Sequence, residues 1–83
     1  MRLLDAAGAQ VEAAALDVRE GAPVSFSPPA SARRRVVAWA GPWPIRRRDL
    51  GDVVHRVQIL DGEGEAWVLL QADGLWLAEG RYA

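Results

Sequence analysis

The chain contains no cysteine, and that absence removes both a disulfide framework and a thiolate metal site as sources of stability. A single histidine, His55, is too little for an imidazole-rich zinc site. No apolar run approaches the ~18–20 residues of a membrane span, and the N-terminus lacks the basic-then-apolar layout of a secretory signal. Lysine, asparagine and threonine are missing altogether. With abundant Ala, Gly and Arg, that bias matches the codon usage of a GC-rich genome and carries no chemistry of its own. A chain of 83 residues has room for one small core, because folding at this size buries only ~60–65% of the surface the unfolded form exposes. These exclusions leave a small soluble domain of a reducing cytoplasm, with no membrane partner and no cofactor.

What is present is unevenly placed. The net charge is −1, yet Arg33–Arg35 and Arg46–Arg48 put six arginines and no acid into one stretch. The rest of the chain therefore carries the opposite sign, a split that matters for encounter and steering more than the near-zero total suggests.

The pattern along the chain is that of strands and turns. Met1–Leu4, the turn Asp5-Ala6-Ala7-Gly8 and Ala9–Glu12 read as strand, turn and second strand. Val11–Val18 reads as extended to irregular, with Gly21 and Pro23 close behind. Val24–Phe26 is a brief strand, and Ser27-Pro28-Pro29-Ala30-Ser31 is a loop. Arg34–Ala40 alternates Val37 and Trp39 against Val36 and Ala38; apolar on both faces, it belongs inside a sheet. Gly41-Pro42-Trp43-Pro44 is expected to end that strand, because two prolines remove two backbone donors. Arg46–Gly51 is a polar turn with one helical turn near Asp49.

The last third has the clearest signals. Val53–Leu60 and Glu65–Gln71 flank Asp61-Gly62-Glu63-Gly64, a hairpin. Pairing Leu60 with Glu65 sets His55, Val57 and Ile59 opposite Leu70, Val68 and Ala66, and leaves Trp67, Leu69, Leu75 and Leu77 on the other face. For the next turn, a two-residue loop places Glu79 opposite Val68 on the core face. A three-residue loop, Ala72-Asp73-Gly74, instead pairs Leu70 with Trp76 and Val68 with Ala78, with Glu65 meeting Arg81; burial favours it. The expected fold is all-β: a small curled antiparallel sheet or barrel of about six strands, ending in a three-stranded meander.

Catalytic chemistry finds little support. His55 has no serine partner in a nucleophile elbow and reads as a strand-end histidine. Asp61, Glu63 and Glu65 alternate through the hairpin without an EF-hand glycine pattern and read as a solvated turn. No phosphate-binding loop or dinucleotide fingerprint occurs. The arginine triplets bracket Trp39 and Trp43, an arrangement open to a solvated surface, to an acidic protein partner, or to single-stranded nucleic acid held by phosphate contacts and stacking. Alternate residues of a strand point to opposite faces, so each triplet offers at most two charges to one surface. Trp39 and Trp76 read as core; Trp43, between prolines, is either an exposed anchor or packed back on the sheet end.

The stretch Val36-Val37-Ala38-Trp39-Ala40-Gly41-Pro42-Trp43-Pro44 resembles the C-terminal region of actinobacterial ImuB, the Y-family DNA polymerase-like subunit of the inducible mutagenesis machinery. Arg2-Leu3-Leu4-Asp5-Ala6-Ala7-Gly8, Val57-Gln58-Ile59-Leu60-Asp61-Gly62 and Gly74-Leu75-Trp76-Leu77-Ala78-Glu79-Gly80-Arg81-Tyr82 resemble further segments of that region in the same order. Residues 10–32 match weakly. After Pro44, where such proteins carry acidic and paired aromatic residues, this chain has Arg46-Arg47-Arg48-Asp49-Leu50.

The resemblance implies that residues 1–83 are a single small β domain, the C-terminal domain of a longer polymerase-like protein. It implies no catalysis, but docking within a translesion-synthesis mutasome, in the cytoplasm at the nucleoid. The implied partners are a RecA-like accessory protein, an error-prone C-family DNA polymerase and, through the larger complex, DNA. The expected partner surface is Pro42, Trp43, Pro44, Arg46, Arg47, Arg48 and Tyr82, with Arg33, Arg34 and Arg35 as candidate nucleic-acid contacts. A single-stranded-DNA-binding small β-barrel is the alternative, and a purely structural appendage a third reading.

Overall fold

The structure is a computed structural model and describes residues 1–13, 22–28, 32–50 and 52–82. Six strands follow in chain order: β1 (Arg2–Leu4), β2 (Ser25–Ser27), β3 (Arg34–Arg47), β4 (Asp52–Asp61), β5 (Ala66–Ala72) and β6 (Leu75–Tyr82). Each pairs antiparallel with the next. A 3-10 turn, Arg48–Leu50, lies between β3 and β4. The protein is all-β as its patterning indicates, an antiparallel sheet curled into a half-barrel with a meander at its end.

Alternation supplies the core. Val57 and Ile59 of β4, Trp67 and Leu69 of β5 and Trp76 of β6 face inward with Leu3 of β1 and Phe26 of β2. Phe26 meets the Trp67 ring edge-on at 5.0 Å. The segment after β1 covers this face with Val11 and Ala13. Its backbone is tied down from β5 and β6: Gln71 accepts from Ala13 N at 2.7 Å, and Trp76 Nε1 donates to the Val11 carbonyl at 2.9 Å. Each large apolar side chain buried here stabilises the fold by ~1.5–3 kcal/mol.

Both meander registers differ from the sequence expectation. Leu60 pairs with Ala66 rather than Glu65, and Asp61 N donates to the Glu65 carbonyl at 2.9 Å. This one-residue slip turns Trp67 and Leu69 into the core in place of Ala66 and Val68, burying far more apolar surface. The second turn is the two-residue loop Asp73-Gly74, with φ of 51° and 74°, the left-handed pair that a type I′ hairpin requires. The objection to that loop was Glu79 opposite Val68. A bulge removes it: Leu69 pairs with Ala78 and Val68 with Gly80, so Glu79 stands out of register.

β3 does not stop at Gly41. It continues through the Gly-Pro-Trp-Pro stretch to Arg47, with a cis Gly41–Pro42 peptide. Ala40 pairs with Gln58 and Trp43 with Arg56, so Gly41 and Pro42 together oppose Val57. A proline inside a bulge has no ladder hydrogen bond to lose, which is why the strand survives it. A second shift at Val37 turns Val36 and Trp39 toward the core and leaves Val37 exposed, against the expectation that Val37 and Trp39 share a face. The strand is interior in the sheet, as expected. Expected second-strand pairing over Ala9–Glu12 reduces to one bridge, Leu4 to Gln10. The remainder of the Val11–Val18 stretch, and residues 29–31 of the proline loop, lie outside the described residues.

Candidate functional site

The two arginine triplets meet different fates, and alternation along β3 is the reason. Arg34 turns to the inner side, where Nη1 donates to Asp61 Oδ2 and to Glu65 Oε1 at 2.8 Å each and Nε lies 2.9 Å from Glu63 Oε2. Its guanidinium lies 5.7 Å from the Trp67 ring centroid, and that of Arg81 5.4 Å. Asp61 is fully enclosed. Oδ2 also accepts from Trp67 Nε1 at 2.9 Å, and Oδ1 accepts from Glu63 N at 2.9 Å and Glu65 N at 3.0 Å. Burial pushes the Asp61 carboxyl up, but the Arg34 guanidinium, the two backbone donors and the indole outweigh it and hold it at about 2. The hairpin acids expected to be a solvated turn are thus a structural ion cluster, with only Glu63 well exposed. Arg33 and Arg35 remain on the outside, exposed.

In the second triplet, Arg47 binds Asp49 through two parallel contacts of 3.0 and 2.8 Å and reaches Glu79 at 3.1 Å. Glu79 also holds Arg56 at 2.9 Å. The hydrogen bond from Arg47, with its charge, holds the Asp49 carboxyl below its ordinary value. Arg46 and Arg48 are exposed.

The outer face of β3–β6, opposite the core, has an unusual surface for so small a protein. Paired positions share a face, so the row Trp43–Arg56–Leu70–Leu77 and the row Ala38–Leu60–Ala66–Tyr82 both lie on it. Leu70 is buried, while Trp43, Leu60, Leu77 and Tyr82 are 38–62% exposed. Between the rows, small side chains leave a shallow hollow of about 210 Å³ walled by Ala38, Ala40, Gln58, Leu60 and Ala66. Its charges, Arg47 and Arg56 with Asp49 and Glu79, neutralise one another at one end.

Of the residues singled out in the sequence, Trp43 is 43% exposed and its ring also packs over Gly41. Pro42 and Pro44 flank it in β3. Tyr82 lies four residues along the β4 register from the Trp43 row and three strands away, so the two do not form one contact point. His55 is half-buried, level with Pro44 and Gln71. Leu60, Leu77 and the Ala38–Ala40 hollow escaped the sequence reading; only the correct hairpin register would have sorted them onto one face. Among the described residues no cluster of three metal-ligating side chains occurs, and no helix is long and apolar enough to cross a membrane.

No protein-family model matches the chain, and neither curated proteins nor solved structures yield a match.

Proposed function

We propose that the domain is a non-catalytic docking module that receives a protein partner on the outer face of β3–β6. The observation that carries this reading is the cluster of exposed large apolar side chains around the 210 Å³ hollow. A sheet face of this kind loses apolar surface to water only when something covers it. The hollow matches one aliphatic or aromatic anchor, the usual centre of a protein contact. Arg48, exposed just beyond the end of β3, suits a partner segment with an acidic residue near that anchor.

The sequence resemblance to ImuB supports a specific setting: a mutasome subunit acting in DNA-damage-induced mutagenesis in the cytoplasm at the nucleoid. A RecA-like accessory protein is the first-choice partner and an error-prone C-family polymerase the second. The test is calorimetric titration of the accessory protein into the wild-type chain, Leu60→Glu and Trp43→Ala. Both side chains are partly exposed, Leu60 38% and Trp43 43%, so each variant should stay folded with an unfolding midpoint lowered by a few degrees. Affinity should fall at least tenfold in each variant. Unchanged affinity in both rejects the face.

A further inference from the structure

The other half of the sheet carries a second surface of different chemistry. In β1 and β2, Leu3 and Phe26 face the core, and Arg34 of β3 follows them inward. The alternate positions point outward. Arg2 pairs with Ser27, Leu4 with Ser25, and Ser25 with Arg35. Carried one residue further, the same register brings Arg33 level with Ser27. Arg2, Arg33 and Arg35 are exposed, and none makes an ion pair among the described residues. The three strands contain no acidic residue. The neighbouring hairpin acids are already engaged on the inner side, since Asp61, Glu63 and Glu65 all bind Arg34.

This surface is concave. A hollow of about 360 Å³ opens between the Asp5–Gly8 turn and the start of β3, lined by Leu4, Ser25, Arg33 and Arg35. Asp5 stands at its rim, but Oδ1 is occupied by the amides of Ala7 and Ala9 at 2.9 and 3.0 Å.

We propose that this hollow is a phosphate subsite through which the domain holds the backbone of a single-stranded nucleic acid. Donors reach it from two sides: guanidinium groups from Arg33, just before β3, and Arg35 within it, and the Ser25 hydroxyl from β2. A phosphate, with acceptor oxygens pointing in several directions, satisfies such a set; a planar carboxylate is matched by one guanidinium fork. Arg33 and Arg35, two residues apart on one strand, stand ~7 Å from each other, so adjacent phosphates of an extended strand reach both. No aromatic side chain lies on these outward positions, so the grip is indifferent to base identity. The site is separate from the apolar face of β3–β6, and neither proposal depends on the other.

The experiment is fluorescence anisotropy of a labelled 20-nucleotide oligo-dT with the 83-residue chain at several salt concentrations. Three phosphate contacts give a slope of log K against log salt of about −2, or roughly a 20-fold loss of affinity between 50 and 200 mM. The Arg33→Glu/Arg35→Glu double variant should bind at least tenfold more weakly with an unchanged unfolding midpoint. Arg48→Glu, a charge change elsewhere on the surface, should bind as wild type. Millimolar inorganic phosphate should compete only weakly, as expected of a site that gains from successive phosphates. Absence of binding, a flat salt dependence, an equal loss in Arg48→Glu, competition by inorganic phosphate as strong as by unlabelled oligo-dT, or equally strong competition by polyglutamate would each overturn the proposal.

Discussion

Asp61→Asn is the sharpest probe of how this fold is held. Each carboxylate oxygen of Asp61 accepts two donors: Oδ1 from Glu63 N and Glu65 N, Oδ2 from Arg34 Nη1 and Trp67 Nε1. An asparagine amide must turn its NH₂ toward one of these pairs, so two hydrogen bonds are lost in either orientation. The charge beside Arg34, whose side chain is only 12% exposed, is lost as well. Removing one partner of a buried ion pair costs about 3–5 kcal/mol. Arg34 keeps Glu63 and Glu65, so the expected loss is smaller, about 2–4 kcal/mol, with a melting point lower by roughly 10–25 °C. Urea unfolding followed by tryptophan fluorescence reads it directly, since Trp67 donates to Asp61. The pH dependence adds a second measurement. The folded carboxyl sits at about 2, below its ordinary 3.8; its contribution of about 2 kcal/mol is complete above pH ~4 and disappears as pH falls through about 2. In Asp61→Asn that acid slope is missing, and the stability gap from wild type narrows on acidification. A variant within 0.5 kcal/mol of wild type at pH 7, or one with the wild-type acid slope, refutes this account of the cluster.

Two other substitutions test the backbone and the covering segment. Gly41 has φ of 114°, and a Cβ there would sit 2.9 Å from the Arg56 carbonyl oxygen and 3.2 Å from the Trp43 ring. Gly41→Ala should therefore cost about 2–3 kcal/mol in urea unfolding, and more than Gly8→Ala, where nothing lies within 4 Å. Trp76→Phe removes the indole donor to the Val11 carbonyl, leaving that oxygen, among the described residues, with Gln71 Nε2 at 3.3 Å. A loss of about 1–2 kcal/mol is expected, together with earlier amide hydrogen exchange at Val11 and Ala13; unchanged exchange would show that the segment is held by other contacts.

The all-β class, a count of about six strands and the closing meander were legible because glycine-containing turns punctuate alternating apolar runs, a local signal. Register was not. At Asp61–Glu65 the loop is set by one side chain collecting backbone amides, and nothing in the residue pattern fixes how many residues that takes. At Asp73-Gly74 the dipeptide itself named the correct turn. Burial of Glu79 argued against it only because the bulge between Ala78 and Gly80 leaves no mark in the residue pattern. Gly41-Pro42 posed the same difficulty: proline's missing donor ends a regular ladder, but not a ladder that already skips a position.

For the candidate sites, charge position was easier to read than charge use. The sequence marked both triplets as unusual and limited each to two charges per face. It did not show that Arg34 and Arg47 bind acids of the chain itself. The shifts at Val37 and at Gly41 each add one residue to β3 against β4, so the strand's sides are exchanged between them and restored beyond them. Arg35, before the first shift, and Trp43 and Arg47, after the second, therefore point away from the core as parity alone would place them, whereas Ala38 and Ala40 reach that side only because of the shifts. Removing both shifts would turn Ala38 and Ala40 toward the core and Trp39 away from it, abolishing the apolar hollow, while the positions of Arg33 and Arg35 would be unchanged.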